Sequence, residues 1–397
     1  MRRVSCLHLL AAVLLLGSGA ARAQEYDGSS LAALPEAETG IDWSVGLRGS
    51  YEANSLTGGR ASTALVPEAA LAIAGESSRT KLAGGAEFIV DAGGGGRVAD
   101  LHAGVEQSLR LGPATLLRGA LAASLTQGDP RARDLPANTL HAPQILDFSA
   151  EGSVTQDFGR FDARLTLDGA RRLRGPTTLA GLATVSNAHQ SYWQGGATLR
   201  LGYELTPLLS AFVEGEASAQ KFDAADPGVL RYMDGRRTEL RTGLAYAHGS
   251  VLEAEASVGR GWLDYTDPAL TDRQDWVYNA ALTFRPDATL SLRGGLETGI
   301  GPSDDVPGDT DVTYALTGSA QYAVNPWLTL RGSAGWDRTI VLGTGGESWG
   351  FDLGAGLDLR TSRHTVWTAD YAYGRDHAPP VPENDTHTVT VGVRITR

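Results

Sequence analysis

Arginine and carboxylate side chains recur at alternating positions of many short stretches of this sequence. In residues 288–300, Arg293 and Glu297 belong to one alternating set, and the other set contains only Ala, Leu, Gly, Thr and Ile. Successive side chains of a β-strand point to opposite faces, so the spacing predicts strands with one ionic and one apolar face. Many charges on one face need water and one another. The chemistry they support is ion pairing and selection of charged solutes.

The same alternation assigns fourteen charged residues to one common face, where in a barrel they would line the lumen. Two roles are open to them: a lattice of arginine–carboxylate pairs that stiffens the wall, or a constriction that selects solutes. Because carboxylates outnumber arginines, we expect a weak preference for cations or neutral solutes. The residues are Arg200, Glu204, Glu214, Glu216, Arg241, Glu253, Glu255, Arg293, Glu297, Arg331, Asp352, Asp358, Arg360 and Asp370.

The elements that carry these residues are hairpin-linked strands. About 18 strands are predicted over residues 43–397, and 16 is the alternative. Compact turns such as 325–326 alternate with long polar stretches such as 128–143 and 174–187. Tight turns at one end and long loops at the other are typical of outer-membrane barrels. The fold class is therefore predicted to be all-β: a transmembrane, antiparallel, up-and-down β-barrel with a hydrated lumen.

The N-terminal part has different features. Residues 1–23 hold two arginines, an apolar run and a final Ala-Arg-Ala, which predicts a cleavable secretory signal peptide. Residues 24–42 are polar and acidic and are expected to be a periplasmic tail, with a plug or docking segment as the alternative. Cys6 is the only cysteine, so cleavage would leave no thiol. Residues 65–74 contain Pro67 and also fit a helix, which is the alternative for this part of the chain.

Aromatic residues distinguish a membrane barrel from a soluble sandwich or propeller, which would hold its rings in mid-strand. Trp276 and Phe284 are eight positions apart on an apolar face, roughly 20 Å along the membrane normal at about 3.3 Å per residue and a tilt near 40°. This matches the height of an outer-membrane apolar band. The predicted aromatic girdle consists of Trp43, Tyr203, Trp276, Phe284, Tyr322, Trp336, Trp349, Trp367 and Tyr373.

Signals for catalysis and cofactors are weak. The eight histidines form no HExxH spacing, and no G-x-S-x-G motif occurs. We expect no catalytic residue, no bound metal and no cofactor, although loop carboxylates such as those of 302–310 could hold Ca²⁺. A formal charge of −12 argues against nucleic acid as a partner. The rival reading as an enzyme is a surface hydrolase that uses His377 and His387.

Three stretches carry a family resemblance. They read YELTPLLSAFVEGEASAQKFD, GRRTELRTGLAYAHGSVLEAEASVGRGWLDYTDPALTDRQDWVYNAALTFRPDATLSLR and ADYAYGRDHAPPVPENDTHTVTVGVRI. They are similar to outer-membrane proteins of the "putative β-barrel porin 2" type over about 145–397. The resemblance implies an outer-membrane barrel, in some members associated with export of polysaccharide or other envelope polymers, and no catalytic residue. Such barrels usually end in an aromatic residue read by the barrel-insertion machinery, whereas this chain ends in Arg397.

The function that follows is a passive conduit in the Gram-negative outer membrane, without enzymatic chemistry. It would serve small solutes or the export of an envelope polymer. The expected partners are outer-membrane lipid, the insertion machinery and, for export, polysaccharide or other components of that system. The main alternative is a structural or adhesive barrel whose lumen is closed by ion pairs and whose loops bind an outside partner.

Overall fold

The computed structural model describes residues 39–397, with gaps at 94, 131–134, 137, 182, 304–305, 307 and 380–381. The predicted signal peptide, and the predicted tail up to residue 38, lie outside the described residues. Among the described residues, no helix has the length and the apolar composition needed to cross a membrane.

The described chain is built almost entirely of β-strands. Eighteen long strands are β1 (Gly40–Asn54), β2 (Gly58–Ala74), β3 (Ser78–Asp91), β4 (Gly96–Arg110), β5 (Thr115–Gln127), β7 (Gln144–Asp157), β8 (Phe161–Arg174), β11 (Tyr192–Thr206), β12 (Leu209–Phe222), β13 (Gly235–His248), β14 (Leu252–Tyr265), β15 (Arg273–Phe284), β16 (Leu290–Pro302), β17 (Thr310–Asn325), β18 (Leu328–Val341), β19 (Glu347–Arg360), β20 (Thr365–His377) and β21 (Asn384–Thr396). Three short strands are β6 (Thr139–His141), β9 (Thr177–Leu179) and β10 (Thr184–Val185), and one 3₁₀ turn spans Ala188–Gln190.

The long strands form one closed antiparallel barrel. Each pairs with the next long strand along the chain, and β1 pairs with both β2 and β21, which closes the sheet. The predicted fold class and the count of 18 strands are thus confirmed, and the alternative of 16 strands is wrong. Residues 65–74 belong to β2, so the helical alternative is also wrong.

The two ends of the barrel differ. At one end, called the turn end, the connections between long strands run from two residues (207–208) to five (285–289). At the other, called the loop end, the longest connections are 128–143 and 175–191. These two were predicted to be irregular loops. Instead they contain β6, β9 and β10, which form a separate three-stranded sheet; strands of two or three residues are too short to show a periodic pattern.

One face of the barrel wall is apolar and exposed. Leu201, Leu240 and Leu316 are exposed by 53%, 54% and 51%, and the first two alternate with the charged residues of their strands. Isolated exposed leucines are ordinary on a soluble protein, but a continuous band of them indicates contact with an apolar phase. The outer face therefore has the composition of a lipid-facing surface.

The seam between β15 and β16 is partly open. Only five residue pairs join these strands, from Ala280↔Leu296 to Phe284↔Leu292, whereas β16 stays paired with β17 up to Pro302↔Thr310. Where the strands separate, side chains satisfy backbone donors of β15. The N–H of Trp276 donates to Asp275 Oδ1 (2.7 Å), and that of Tyr278 donates to Thr298 Oγ1 (3.2 Å).

Beyond the seam, the ends of β16 and β17 turn into the barrel. Ile300 has the same strand parity as the outward-facing Leu296, yet it is buried with Leu263 and Tyr265 of the inner wall. A Cβ placed on Gly261, also on the inner wall, would lie 3.1 Å from Ile300 Cγ2. We call residues 298–303 and 308–312 the inward arm, without including the intervening gap residues.

Candidate functional site: a charged inner wall

Ion pairs identify the charged face as the inside of the barrel. Arg200 on β11 contacts Glu255 on β14 at 2.8 Å, although β12 and β13 lie between these two strands. A side-chain pair can bridge two intervening strands only on the concave side of a curved sheet. The opposite, apolar face is consequently the outside.

A chain of contacts begins at this pair. The Arg200 guanidinium also lies 3.6 Å from Glu214, and Glu214 accepts from Arg241 at 2.5 Å. The Arg200–Glu255 pair is bidentate, with both guanidinium NH2 groups donating to the carboxylate at 2.8 and 2.9 Å. Bidentate geometry fixes the orientation of both groups, so the first half of the wall is rigidly set.

The chain continues through two opposed glutamates. Glu216 and Glu239 are direct cross-strand neighbours on β12 and β13. Arg241 lies 3.7 Å from Glu216 and 3.6 Å from Glu239, while Arg237 contacts Glu216 at 2.5 Å and Glu239 at 3.7 Å. Glu239 is only 4% exposed. Two carboxylates this close repel each other, and an arginine on each side compensates that repulsion. These seven residues, three arginines and four glutamates, are called the packed network.

One aromatic ring supports the network from within. Phe212 of β12 is 3% exposed, and Arg200 Cζ lies 3.5 Å from its ring centroid. The ring fits because Gly243 on β13 has no side chain: a Cβ at residue 243 would lie 2.5 Å from Phe212 Cζ. The ring thereby supplies an apolar and cation–π contact for the guanidinium.

A second charged group lies on β18 to β20, which three strands separate from β14 along the wall. Arg331 of β18 contacts Asp358 of β19 at 2.9 Å and Asp370 of β20 at 2.8 Å. Its side chain is 39% exposed, against 9% for Arg200. We call these three residues the open cluster. Its arginine is therefore more accessible to water than the arginines of the packed network, whose side chains are 9% to 28% exposed.

The strand registers place all fourteen predicted lumen residues on the inner face. Eight of them fall in the packed network or the open cluster. For the other six, no ion pair within 4.0 Å occurs among the described residues; these are Glu204, Glu253, Arg293, Glu297, Asp352 and Arg360. Whether the set selects solutes stays a prediction.

Three residues of the packed network and its support were not among the fourteen. Arg237 and Glu239 have the same strand parity as Arg241, so the same alternation places them on the ionic face. Phe212 had no such signal, because an aromatic residue on an ionic face contradicts the pattern. Its role depends on the close approach of Gly243, which only the structure shows.

The predicted girdle residues lie on the outer face. Tyr203 packs against Phe161, with ring centroids 4.7 Å apart, and Arg260 Cζ lies 5.3 Å from the centroid of Trp276. The parities of the other seven residues place them on the same face. Their position along a membrane normal stays a prediction.

The two histidines of the hydrolase alternative are held by aromatic residues. His377 stacks on Trp349 with ring centroids 5.4 Å apart, and His387 Nδ1 lies 2.8 Å from the hydroxyl of Tyr371. Among the described residues, no group of three His, Cys, Asp or Glu is arranged to hold a metal ion. What the inner wall can do is electrostatic: it presents fixed charges to whatever passes.

Comparison with known proteins gives one family. The family described as putative beta-barrel porin 2 matches residues 44–397, and no curated protein matches the chain. Similar solved structures include the outer-membrane protein OpdK from Pseudomonas aeruginosa, with 10% identity, a TM-score of 0.45 and coverage of 90% of this chain and 99% of that chain. OccK5 (OpdH) of Pseudomonas aeruginosa has 11% identity, a TM-score of 0.46 and coverage of 90% and 98%. A loop-deletion mutant of OmpT of Vibrio cholerae has 14% identity, a TM-score of 0.34 and coverage of 90% and 99%.

Proposed function

The chain belongs to the putative beta-barrel porin 2 family, and we propose that this porin-like barrel is a water-filled diffusion channel for small solutes in the outer membrane. In this arrangement the turn end faces the periplasm and the loop end faces the outside, as loop lengths do in bacterial barrels. The observation that carries the proposal is the charged inner face of a closed 18-stranded sheet.

The charges argue for water inside the barrel. Burying an ionised side chain away from water, without a partner, costs roughly several kcal/mol in folding free energy even after the protein relaxes. Six of the fourteen lumen residues have no ion-pair partner among the described residues, as stated above. They need hydration, and barrels of about 16 to 18 strands are wide enough to hold it. A hydrated lumen supports conduction better than it supports a closed structural barrel.

The inner wall also supports a direction of selectivity. The packed network has four glutamates against three arginines, and the open cluster has two aspartates against one arginine. Each group thus has a formal charge of −1. Rings or patches of carboxylates favour cations in pores, so we propose a weak preference for cations and neutral solutes.

The inward arm favours small solutes over a polymer. It occupies part of the lumen at the loop end, where Ile300 and Val312 are 3% and 1% exposed. A polysaccharide chain on its way out would have to thread through this narrowed section. Small solutes can pass the arm one at a time.

Planar-bilayer recording of the purified protein tests the proposal. We expect stepwise conductance increases, and a reversal potential in a KCl gradient that indicates modest cation preference. Insertion without any conductance step, verified by the heat-dependent gel mobility of the folded barrel, would favour the structural or adhesive alternative. Strong anion selectivity would contradict the proposed preference while leaving the channel itself supported.

A further inference from the structure

A cleft lies between the inner wall and the inward arm. Its lining includes Gln194 of β11, Ser218 and Gln220 of β12, Arg237 of β13, Leu263 of β14 and Ile300 of the arm. Its volume is about 90 Å³, and a single water molecule needs roughly 10–15 Å³ of such space. The cleft can therefore hold several waters or one small organic molecule.

Three polar side chains on one side of the cleft have no side-chain hydrogen bond to other described residues. Gln194 and Gln220 are direct cross-strand partners, and Ser218 is two residues from Gln220 on the same inner face. Within the described part of the chain, none of the three makes a side-chain hydrogen bond to another residue. Two amides and a hydroxyl offer both donors and acceptors at short spacing, which suits a ligand with several hydroxyl groups.

The charged member of the lining is already neutralised. Arg237 contacts Glu216 at 2.5 Å and Glu239 at 3.7 Å. An anionic ligand would have to displace these carboxylates or approach them, and a cationic ligand would meet the guanidinium. The cleft consequently favours an uncharged ligand.

The remaining walls are apolar and fixed. Leu263 and Ile300 are each 3% exposed and pack in one cluster with Tyr265 and Met233. An apolar surface opposite hydrogen-bonding groups matches a molecule with a C–H face and hydroxyl edges. Ile300 reaches this position only because the β15–β16 seam is open above Ala280↔Leu296.

We propose that this cleft is a binding site for a small uncharged polyol of about monosaccharide size, held transiently during passage. The proposal rests on the proposed channel function and adds a solute class to it. The arm and the wall of β11 to β14 form the two sides of the site, and the open seam is the structural condition for it.

The test uses glucose as the probe and the full-length folded protein. In single-channel recordings we expect glucose to cause reversible, concentration-dependent reductions of current. The double variant Gln194→Leu/Gln220→Leu should weaken this response by about tenfold or more in apparent Kd, the loss expected for two hydrogen bonds. The matched control is Gln321→Leu, the same change on the inner face of β17 outside the cleft, and it should leave the response unchanged.

A second variant and a second readout keep the outcomes separate. Ile300→Ala removes the arm's apolar contact and should weaken glucose binding severalfold while the two glutamines stay in place. Saturation-transfer NMR on detergent-solubilised protein detects glucose binding whether or not the barrel conducts. Conductance without a glucose signal in either measurement would overturn the cleft and leave the channel standing. A stronger response to benzoate than to glucose would also overturn it, and binding without conductance would overturn only the channel.

Discussion

The packed network and the open cluster are two solutions to the same problem, which is how to place arginine and carboxylate groups inside a barrel. In the packed network, Glu239 is 4% exposed and each arginine contacts at least two glutamates. In the open cluster, Arg331 is 39% exposed and holds two aspartates from neighbouring strands. The first resembles a protein core built from charges, and the second resembles a protein surface.

The difference teaches that the two groups of charges depend on different surroundings: one on its ion-pair partners, the other on water. Charges removed from water depend on their partners, because a buried ion without a partner is strongly destabilising. Charges in contact with water depend little on their partners, because water replaces them. The inward arm packs against β14 of the packed wall. If the barrel conducts as proposed, we expect solutes to pass on the side of the open cluster.

Removing one arginine from each region should separate them most strongly. Arg241→Ala leaves Glu214, Glu216 and Glu239 with fewer cationic partners, and we expect a loss of about 3–5 kcal/mol in the free energy of unfolding. Arg331→Ala should cost about 0–1 kcal/mol. Urea unfolding in liposomes, followed by tryptophan fluorescence, measures both. Equal losses in the two variants would break the distinction between the regions.

The second prediction concerns packing without any change of charge. Gly243→Ala places a methyl group against both the Phe212 ring and the backbone carbonyl oxygen of Ala256 on β14, and overpacking of this kind costs about 1–3 kcal/mol. The control is Gly374→Ala on β20, where a Cβ would meet nothing within 4 Å. The same unfolding assay applies. A neutral effect at residue 243 would mean that both the ring and the β14 backbone give way, which would contradict a tightly packed inner wall.

The contact between Gly243 and Phe212 also shows how much of the structure could be predicted from the sequence. Period-two alternation found 18 strands and the face of Arg200 or Arg331, because a strand in a two-sided environment must alternate. It could not tell that one arginine is buried and the other hydrated. That difference depends on the close approach of Gly243 to Phe212 on the neighbouring strand and on the inward turn of β16. Neither feature has a local signature in the sequence.

The open β15–β16 seam was hidden for a related reason. The stretch from Leu290 to Pro302 alternates regularly, so its pattern predicts a strand that faces lipid along its whole length. The structure instead buries Ile300 with Leu263 and Tyr265. Both locations are apolar, and alternation cannot distinguish lipid from a packed protein interior.

The third prediction concerns conduction. Arg331→Gln removes one positive charge from the hydrated wall and leaves Asp358 and Asp370 facing water. We expect the reversal potential in a KCl gradient to shift toward greater cation preference, with little change in stability. For Arg200→Gln we expect the opposite balance of effects: a clear loss of stability and only a small shift of the reversal potential. A larger selectivity shift for the Arg200 variant would place the solute path along the packed wall.

The smallest expected effect is in the loop that connects β14 and β15 above the packed wall. The Ala269 backbone N–H, and then the Arg231 guanidinium, lower the pKa of Asp267 below its usual value. A carboxyl whose pKa is depressed in the folded loop stabilises that loop above its unfolded pKa, near 3.9, and the contribution is lost as the pH falls through the folded pKa.

Limited proteolysis of the folded barrel between pH 6 and pH 3 checks this. We expect cleavage in 266–272 to increase only at the acidic end of that range, and Asp267→Asn to remove the pH dependence while leaving the barrel intact. Since Asp267 is solvent-exposed, salt should weaken its attraction to Arg231 but not the hydrogen bond from Ala269. A pH dependence abolished by 1 M salt would therefore assign the loop's order to the ion pair alone. One that persists in salt would assign it to the turn geometry, and would make this loop independent of the charges in the wall beneath it.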